Sequence, residues 1–410
     1  MVEQSIKKDI WISTIGGYFV AALNFMINLI LIRFLSAELY GLFSFIVNQF
    51  RRVLRLLDFS FVELILISEK RNLKPSELIE SFVFHSIIRI LIVFIGGLIT
   101  AWFTDNLKLL SVISFLLVYS NVRYFYVFGI THFYEVYFNT KYAQFFYSIS
   151  AVIFLFFVFF LPFFFEASLF NFALSLFIAS IIVVLIISVK IFRKAGYKNT
   201  KLSSNVFNAL KSHSIFLQIP VLAGLIIKFI QDTLIIFQQS SEVYALYSVA
   251  ILIGSVAVVG ARGAIRPLAP YVWSKEKNSI RPYIYIGIFM YAIGIFSSLF
   301  GNFFERIFLL LNDEYIGVSI YFSLGIILAV SLAYSQLFTT FIKGVGLIKH
   351  FSLVSTFMVF ISLILTLLAY YFFDKEYFAI NLLIIDIFVT ISSILLLLCV
   401  YKFKIRIINE

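Results

Sequence analysis

The 410-residue chain is 62% hydrophobic and 19% aromatic, with 13% charged residues and a formal net charge of +11. Soluble globular chains carry about 25% charged residues, so a soluble enzyme with a polar shell is excluded, and apolar blocks of spanning length make lipid the solvent. One cysteine, Cys399, excludes an internal disulfide and a thiolate cluster, and His85, His132, His213 and His350 lie scattered without ligand spacing, so no metal site is expected.

At about 20 residues per span, the apolar blocks fall at 10–34, 41–67, 81–103, 109–130, 144–165, 169–191, 213–236, 243–268, 283–303, 316–340, 351–373 and 380–401. Alternation of the β-barrel kind is absent, so twelve transmembrane helices are expected, an all-α integral membrane protein. The first block runs into Arg33 and is too long for a signal h-region of ~7–15 residues; it reads as a retained span. With a cytoplasmic N-terminus, twenty Lys and Arg lie in inner segments, against Lys108, Arg306 and Lys375 outside. That asymmetry places both termini inside, and Trp11, Trp102 and Trp273 fall at expected helix ends, where an aromatic belt sits. No long solvated basic face exists, so no nucleic-acid partner is expected.

The longest polar break, Arg193 to Lys211, lies near mid-chain. On either side of it, Leu35–Ser44 aligns without gaps on Gln239–Ser248, with five identities at an offset of 204 residues. Both segments occupy the outer turn between the first and second helices of a six-helix set. Duplication is the better reading: an N-lobe over 1–200 (helices 1–6) and a C-lobe over 201–410 (helices 7–12). Six helices per copy is even, so the copies enter the membrane alike, a parallel repeat with its axis along the membrane normal. The substrate site expected of such a layout is the cleft between lobes, as in a transporter.

The run Arg33-Phe34-Leu35-Ser36-Ala37-Glu38-Leu39-Tyr40-Gly41, followed by Leu56-Leu57-Asp58-Phe59, resembles the first hairpin of polysaccharide flippases. These belong to the multidrug/oligosaccharidyl-lipid/polysaccharide (MOP) exporter superfamily, and the resemblance is to its O-antigen (Wzx-type) branch. Ile219-Pro220, Asp232, Tyr244-Ala245-Leu246-Tyr247-Ser248-Val249-Ala250 and Pro267 agree in the second half, whereas Phe59-Ser60 stands where the family usually has glycine. The resemblance implies a MATE-like fold and a multi-pass protein of the bacterial inner membrane. It implies a flippase moving undecaprenyl-diphosphate-linked oligosaccharide from the cytoplasmic to the outer leaflet. It also implies the company of polymerase and chain-length proteins of one pathway.

Charged residues inside the blocks carry the chemistry. Nine are basic (Arg33, Arg51, Arg52, Arg55, Arg89, Arg123, Lys228, Arg262, Arg266) and four acidic (Asp58, Glu63, Asp232, Asp386). Each central arginine costs about 2.5–3.5 kcal/mol on insertion scales, so these side chains are expected to face protein or water. Arg51, Arg55 and Asp58 follow i, i+4, i+7, one stripe of helix two, and Arg262 and Arg266 follow i, i+4 on helix eight. Such stripes suit a diphosphate, whose oxygens guanidinium forks bind in pairs. Arg33, Arg51, Arg52, Arg55, Arg89, Arg262 and Arg266 are the substrate-binding candidates; Arg89 and Arg123 fit either the cleft or its cytoplasmic mouth. The competing reading pairs these arginines with acids or carbonyls, but four acids cannot neutralise nine bases.

Lys228 and Asp232, also i, i+4, read as a mutual ion pair. Asp58, Asp232 and Asp386 are candidates for a coupling proton or sodium ion or for salt bridges, and no other cofactor is expected. Two other functions stay open: a multidrug or small-molecule exporter, expected to have an apolar or acidic pocket, and a membrane enzyme of glycan assembly. The short outer loops and the absence of an outer histidine weigh against the enzyme.

Overall fold

A computed structural model describes residues 2–58, 61, 64–65, 72–104, 107–137, 140–195, 201–252, 281–344 and 347–409. Among these the chain is helical, with no strand. In chain order the helices are α1 (Val2–Phe34), α2 (Ala37–Leu56), α3 (Pro75–Thr104), α4 (Leu107–Asn121), α5 (Val127–Tyr137), α6 (Thr140–Phe164), α7 (Leu169–Ala195) and α8 (Ser204–Gln238). They continue as α9 (Ser241–Leu252), α10 (Arg281–Ser298), α11 (Gly301–Leu311), α12 (Val318–Gly344), α13 (Ile348–Phe372) and α14 (Phe378–Asn409). Eight helices are long and apolar enough to span a membrane, or nine if α10 and α11 form one bent span. With large exposed side chains such as Phe163, Phe164 and Phe237 on their surfaces, this is a multi-pass membrane protein, since lipid and not water accepts such surfaces.

Among the described residues each apolar block meets helix, and three blocks show a break. The 41–67 block was expected to be continuous, yet α2 stops at Leu56 and Leu57–Asp58 form a turn, in which Asp58 N–H bonds Arg55 O at 3.3 Å. The fourth block changes register through a π-helical turn, Val122–Tyr126, between α4 and α5. The ninth bends by 56° between α10 and α11. Hydropathy reports which solvent a segment prefers and is blind to such breaks, which leave the segment apolar. Several helices also run past the block ends: α3 starts at Pro75 and α8 at Ser204. Their added turns are polar, so a hydropathy window stops short of them.

Contacts group the chain into two compact units, Met26–Leu35 with Phe43–Gln218, and Met1–Phe25 with Ser36–Leu42 and Ile219–Glu410. Within the first, α3 packs on α4, α4 on α7, α5 on α6 and α6 on α7. Within the second, α10 packs on α12, α12 on α14 and α13 on α14. Numbered by the twelve apolar blocks of the sequence, the pairings 3–4, 4–6 and 5–6 recur as 9–10, 10–12 and 11–12.

A contact inside each bundle repeats too. A β-carbon on Gly129 would collide with the Phe82 ring, and one on Gly287 would collide with the Tyr334 ring. Phe82 and Gly287 are 205 residues apart, as are Gly129 and Tyr334. The same helix pair is thus closed by an aromatic knob and a glycine hole, with knob and hole exchanged.

The second unit also holds the start of α2. Ser36 Oγ accepts from Leu39 N–H at 3.3 Å, an N-cap. Ala37 N–H donates at 2.5 Å to Glu314, whose carboxylate suits the positive end of the helix. Tyr40 meets Tyr315 edge-on, with ring centroids 6.4 Å apart. A β-carbon on Gly41 would collide with the Ser241 carbonyl and come within 3.4 Å of Ala245 N, so α2 and α9 cross here with no room for a side chain.

Candidate functional site

Asp58 decides the electrostatics of the first unit. Its buried carboxylate accepts from the Arg89 guanidinium, itself 1% exposed, and Arg89 also donates to Ser86 Oγ at 2.9 Å. The guanidinium lies over the Phe125 ring, 4.9 Å from its centroid. Buried charges persist when paired and hydrogen-bonded, and this pair satisfies that rule on both sides. Arg89, expected in the cleft or at its mouth, is therefore an ion-pair partner in the packed interior, and Asp58 is neutralised by α3.

Arg51 and Arg55, one turn apart on α2, are exposed. Neither has an ion-pair or hydrogen-bond partner among the described residues. Arg51 lies over the Tyr124 ring at 5.2 Å from its centroid. Arg123, half-buried on the π-helical turn, approaches the same ring at 5.2 Å and the Tyr119 ring at 5.3 Å. Arg52 is half-buried and donates to Gln49 Oε1 at 3.3 Å, on the helix's own surface. Arg33 sits exposed in the last turn of α1, away from this cluster in sequence. Arg262 and Arg266, the helix-eight stripe, lie outside the described residues, as does Glu63.

An exposed guanidinium in a span is stable only against water or a polar ligand. Arg51 on α2 and Arg123 on the π-turn meet at the Tyr124 ring, with Arg55 one helical turn from Arg51; guanidinium groups so placed are chemically suited to an anion. The sequence offered Arg123 the cleft or its cytoplasmic mouth, without linking it to Arg51. Nothing in it distinguished Tyr119 and Tyr124 from the other 21 tyrosines, because the pairing depends on the π-turn.

A second polar cluster lies in the other unit. Lys228 on α8 forms an ion pair with Asp386 on α14, a partner that the i, i+4 spacing to Asp232 did not offer. Asp232, fully buried, accepts from Tyr244 Oη at 2.5 Å. Gln231 donates to Thr366 Oγ1 at 2.9 Å, and Thr390 Oγ1 donates to the Asp386 carbonyl at 2.7 Å. Spacing made i, i+4 neighbours of Lys228 and Asp232, but α14 brings a second carboxylate to the lysine, which sequence spacing cannot reveal. Four helices are tied together by these bonds.

Two further features flank these clusters. Met26, Leu29 and Ile30 of α1 and Val152, Leu155, Phe156 and Phe159 of α6 line a wholly apolar cavity of about 370 Å³, suited to hydrocarbon. At the start of α8, Glu77 accepts from Ser203 Oγ at 3.1 Å and from Asn205 Nδ2 at 3.3 Å. Ser81 Oγ meanwhile accepts from Ser203 N–H at 3.0 Å and donates to Lys201 O at 3.4 Å. Lys201 and Ser203 are thereby fastened to the first turns of α3.

Solved structures share this fold. An outward-facing multidrug resistance MATE family transporter of the MOP superfamily superimposes with a TM-score of 0.64 at 13% identity, over 95% of this chain and 94% of that one. A variant of the Vibrio cholerae MATE transporter VcmN gives 0.63 at 13% identity, over 97% of both chains. The eukaryotic MATE transporter AtDTX14 gives 0.62 at 13% identity, over 97% and 96%. No family model and no curated protein matches the sequence. The chain therefore has a MATE-like fold of the MOP type along nearly its whole length, in agreement with the fold the sequence implied.

Proposed function

We propose that this protein is a flippase. It carries undecaprenyl-diphosphate-linked oligosaccharide, an O-antigen or related surface-polysaccharide unit, from the cytoplasmic to the outer leaflet of the bacterial inner membrane. Alternating access of two six-helix lobes, 1–200 and 201–410, around a cationic cavity moves the cargo, with both termini cytoplasmic. Asp58, Asp232 and Asp386 are the candidates for coupling to a proton or sodium ion. Polymerase and chain-length proteins of the same pathway are the expected partners, and the protein catalyses no covalent step.

One observation carries the reading. Arg89 neutralises Asp58, so Arg51 and Arg55 remain on α2 with no described counter-charge. A chain keeps such groups only if something anionic or aqueous meets them, and diphosphate fits guanidinium forks. The recurring helix pairings, the exchanged glycine–aromatic contacts and the meeting of repeat-equivalent Gly41 and Ala245 support the two-lobe duplication.

A multidrug exporter is the second reading, favoured by the transporters that share the fold. Its usual cationic cargo would be repelled by Arg51, Arg55 and Arg123. The test is surface-glycan display in a flippase-deficient cell, normalised to membrane protein level, beside drug resistance in the same cells. Loss of display in Arg51→Gln and Arg55→Gln at unchanged protein level supports the flippase. Normal display in both, with drug resistance conferred, replaces it with the exporter.

A further inference from the structure

Arg123 lies outside the helix-two stripe, yet the fold brings it to Arg51. We infer that Arg51 and Arg123, gathered at the shared Tyr124 ring, form a two-armed clamp for the diphosphate of a polyprenyl-diphosphate carrier. The inference rests on the flippase reading and names the residues within it that hold the phosphates.

Geometry comes first. Each guanidinium carbon lies 5.2 Å from the Tyr124 centroid, so the two are at most about 10 Å apart. A diphosphate carries oxygens at both ends, so two guanidinium groups within that reach can each donate charge-assisted N–H···O bonds of about 2.8 Å to one diphosphate. Charge points the same way. Neither guanidinium has an ion-pair or hydrogen-bond partner among the described residues, and their contacts are the rings of Tyr119 and Tyr124. Two like charges this close in a span repel each other strongly unless an anion meets both. A cation–π contact recovers only part of the cost of keeping a guanidinium there.

The backbone gives an independent reason. Arg123 rides on the π-helical turn Val122–Tyr126, a rare feature that recurs at functional sites because it turns side chains off the regular helical face. The two residues before it, Ser120 and Asn121, are buried, and Ser120 Oγ and Asn121 Oδ1 have no hydrogen-bond partner among the described residues. Polar groups are normally not left so unless a ligand or water completes them. Tyr124 serves as a platform: its ring holds both guanidinium groups near their working positions, which reduces the ordering cost of binding.

The test uses the full chain in nanodiscs, with geranylgeranyl diphosphate and geranylgeranyl monophosphate as probes and calorimetric binding as the readout. Wild type should bind the diphosphate more tightly than the monophosphate. Arg123→Gln should weaken diphosphate binding about tenfold or more and abolish the preference, with an unchanged melting temperature. Arg123→Lys, a point charge without the fork, should fall between. If Arg123→Gln binds the diphosphate as wild type does while Arg51→Gln binds it weakly, the clamp is wrong and the flippase reading stands. If wild type binds neither probe, both fall.

Discussion

Replacing Asp58 by Asn should unfold much of the protein, whereas replacing Arg51 by Gln should not. Asp58 and Arg89 form the buried pair of the first unit, with Arg89 1% exposed and its only other described hydrogen bond a single one to Ser86. Removing one partner leaves the other charge buried and uncompensated, which typically costs about 3–5 kcal/mol. At about 1.4 kcal/mol per tenfold, that lowers the folded-to-unfolded ratio at least a hundredfold, enough to empty a marginal membrane protein from the bilayer. Replacing both partners by apolar residues, as in Asp58→Leu with Arg89→Met, removes both charges at once and should restore most of the loss. Arg51 differs because its charge has no described counter-ion; Arg51→Gln removes an insertion cost and should leave the protein level unchanged. The assay is fluorescence-detected size exclusion and thermal melting of the wild type and these three variants in one detergent. Asp58→Asn as stable as wild type, or a double variant no better than the single, would falsify the ion-pair assignment.

Other expectations follow from the same contacts. Gly41→Leu cannot be accommodated against Ser241 at the α2–α9 crossing; transport should be lost at near-normal expression, and a fully active Gly41→Leu would show that the crossing is not needed. Lys228→Asp should destabilise, and Lys228→Asp with Asp386→Lys should recover part of the melting temperature, because the pair is re-formed with its charges exchanged; absence of recovery would count against a direct pair. Glu77→Ala removes the acceptor for the Ser203 and Asn205 side chains at the start of α8 and should cost about 1 kcal/mol, as a lost hydrogen bond does, seen as faster proteolysis near Ser203. In a Cys399-free background, cysteines at Ser36 and Asp374 should react with an impermeant thiol reagent from outside, and one at Asn72 only after permeabilisation; outside labelling at Asn72 would invert the topology.

Much of the fold was legible because lipid imposes a simple rule: every span must be apolar and long enough. That rule found the helical blocks, and the short Leu35–Ser44 alignment pointed to duplication before the exchanged pairs Phe82–Gly129 and Gly287–Tyr334 could be seen. Those pairs conserve a contact and not a residue type, so sequence alignment passes over them. The α2 stripe was also legible, since i, i+4 spacing is fixed by helix geometry. The fates of its members were not. Asp58 lies in a turn and answers Arg89, and Lys228 answers Asp386 from the last helix, because partners across helices depend on packing. Arg123 shows the limit best: a π-turn shifts the face of every following residue, and no periodicity in the sequence announces it.

The account turns on whether Arg51 and Arg55 bind the phosphates of a lipid-linked sugar. The direct measurement is flipping of fluorescent undecaprenyl-diphosphate-linked oligosaccharide by purified protein in proteoliposomes, scored by accessibility to an external quencher and normalised to reconstituted protein. Wild type should equilibrate the lipid between leaflets, and the Arg51→Gln, Arg55→Gln double variant should leave it at the protein-free rate while melting at the same temperature. Equal flipping by wild type and double variant would contradict the account.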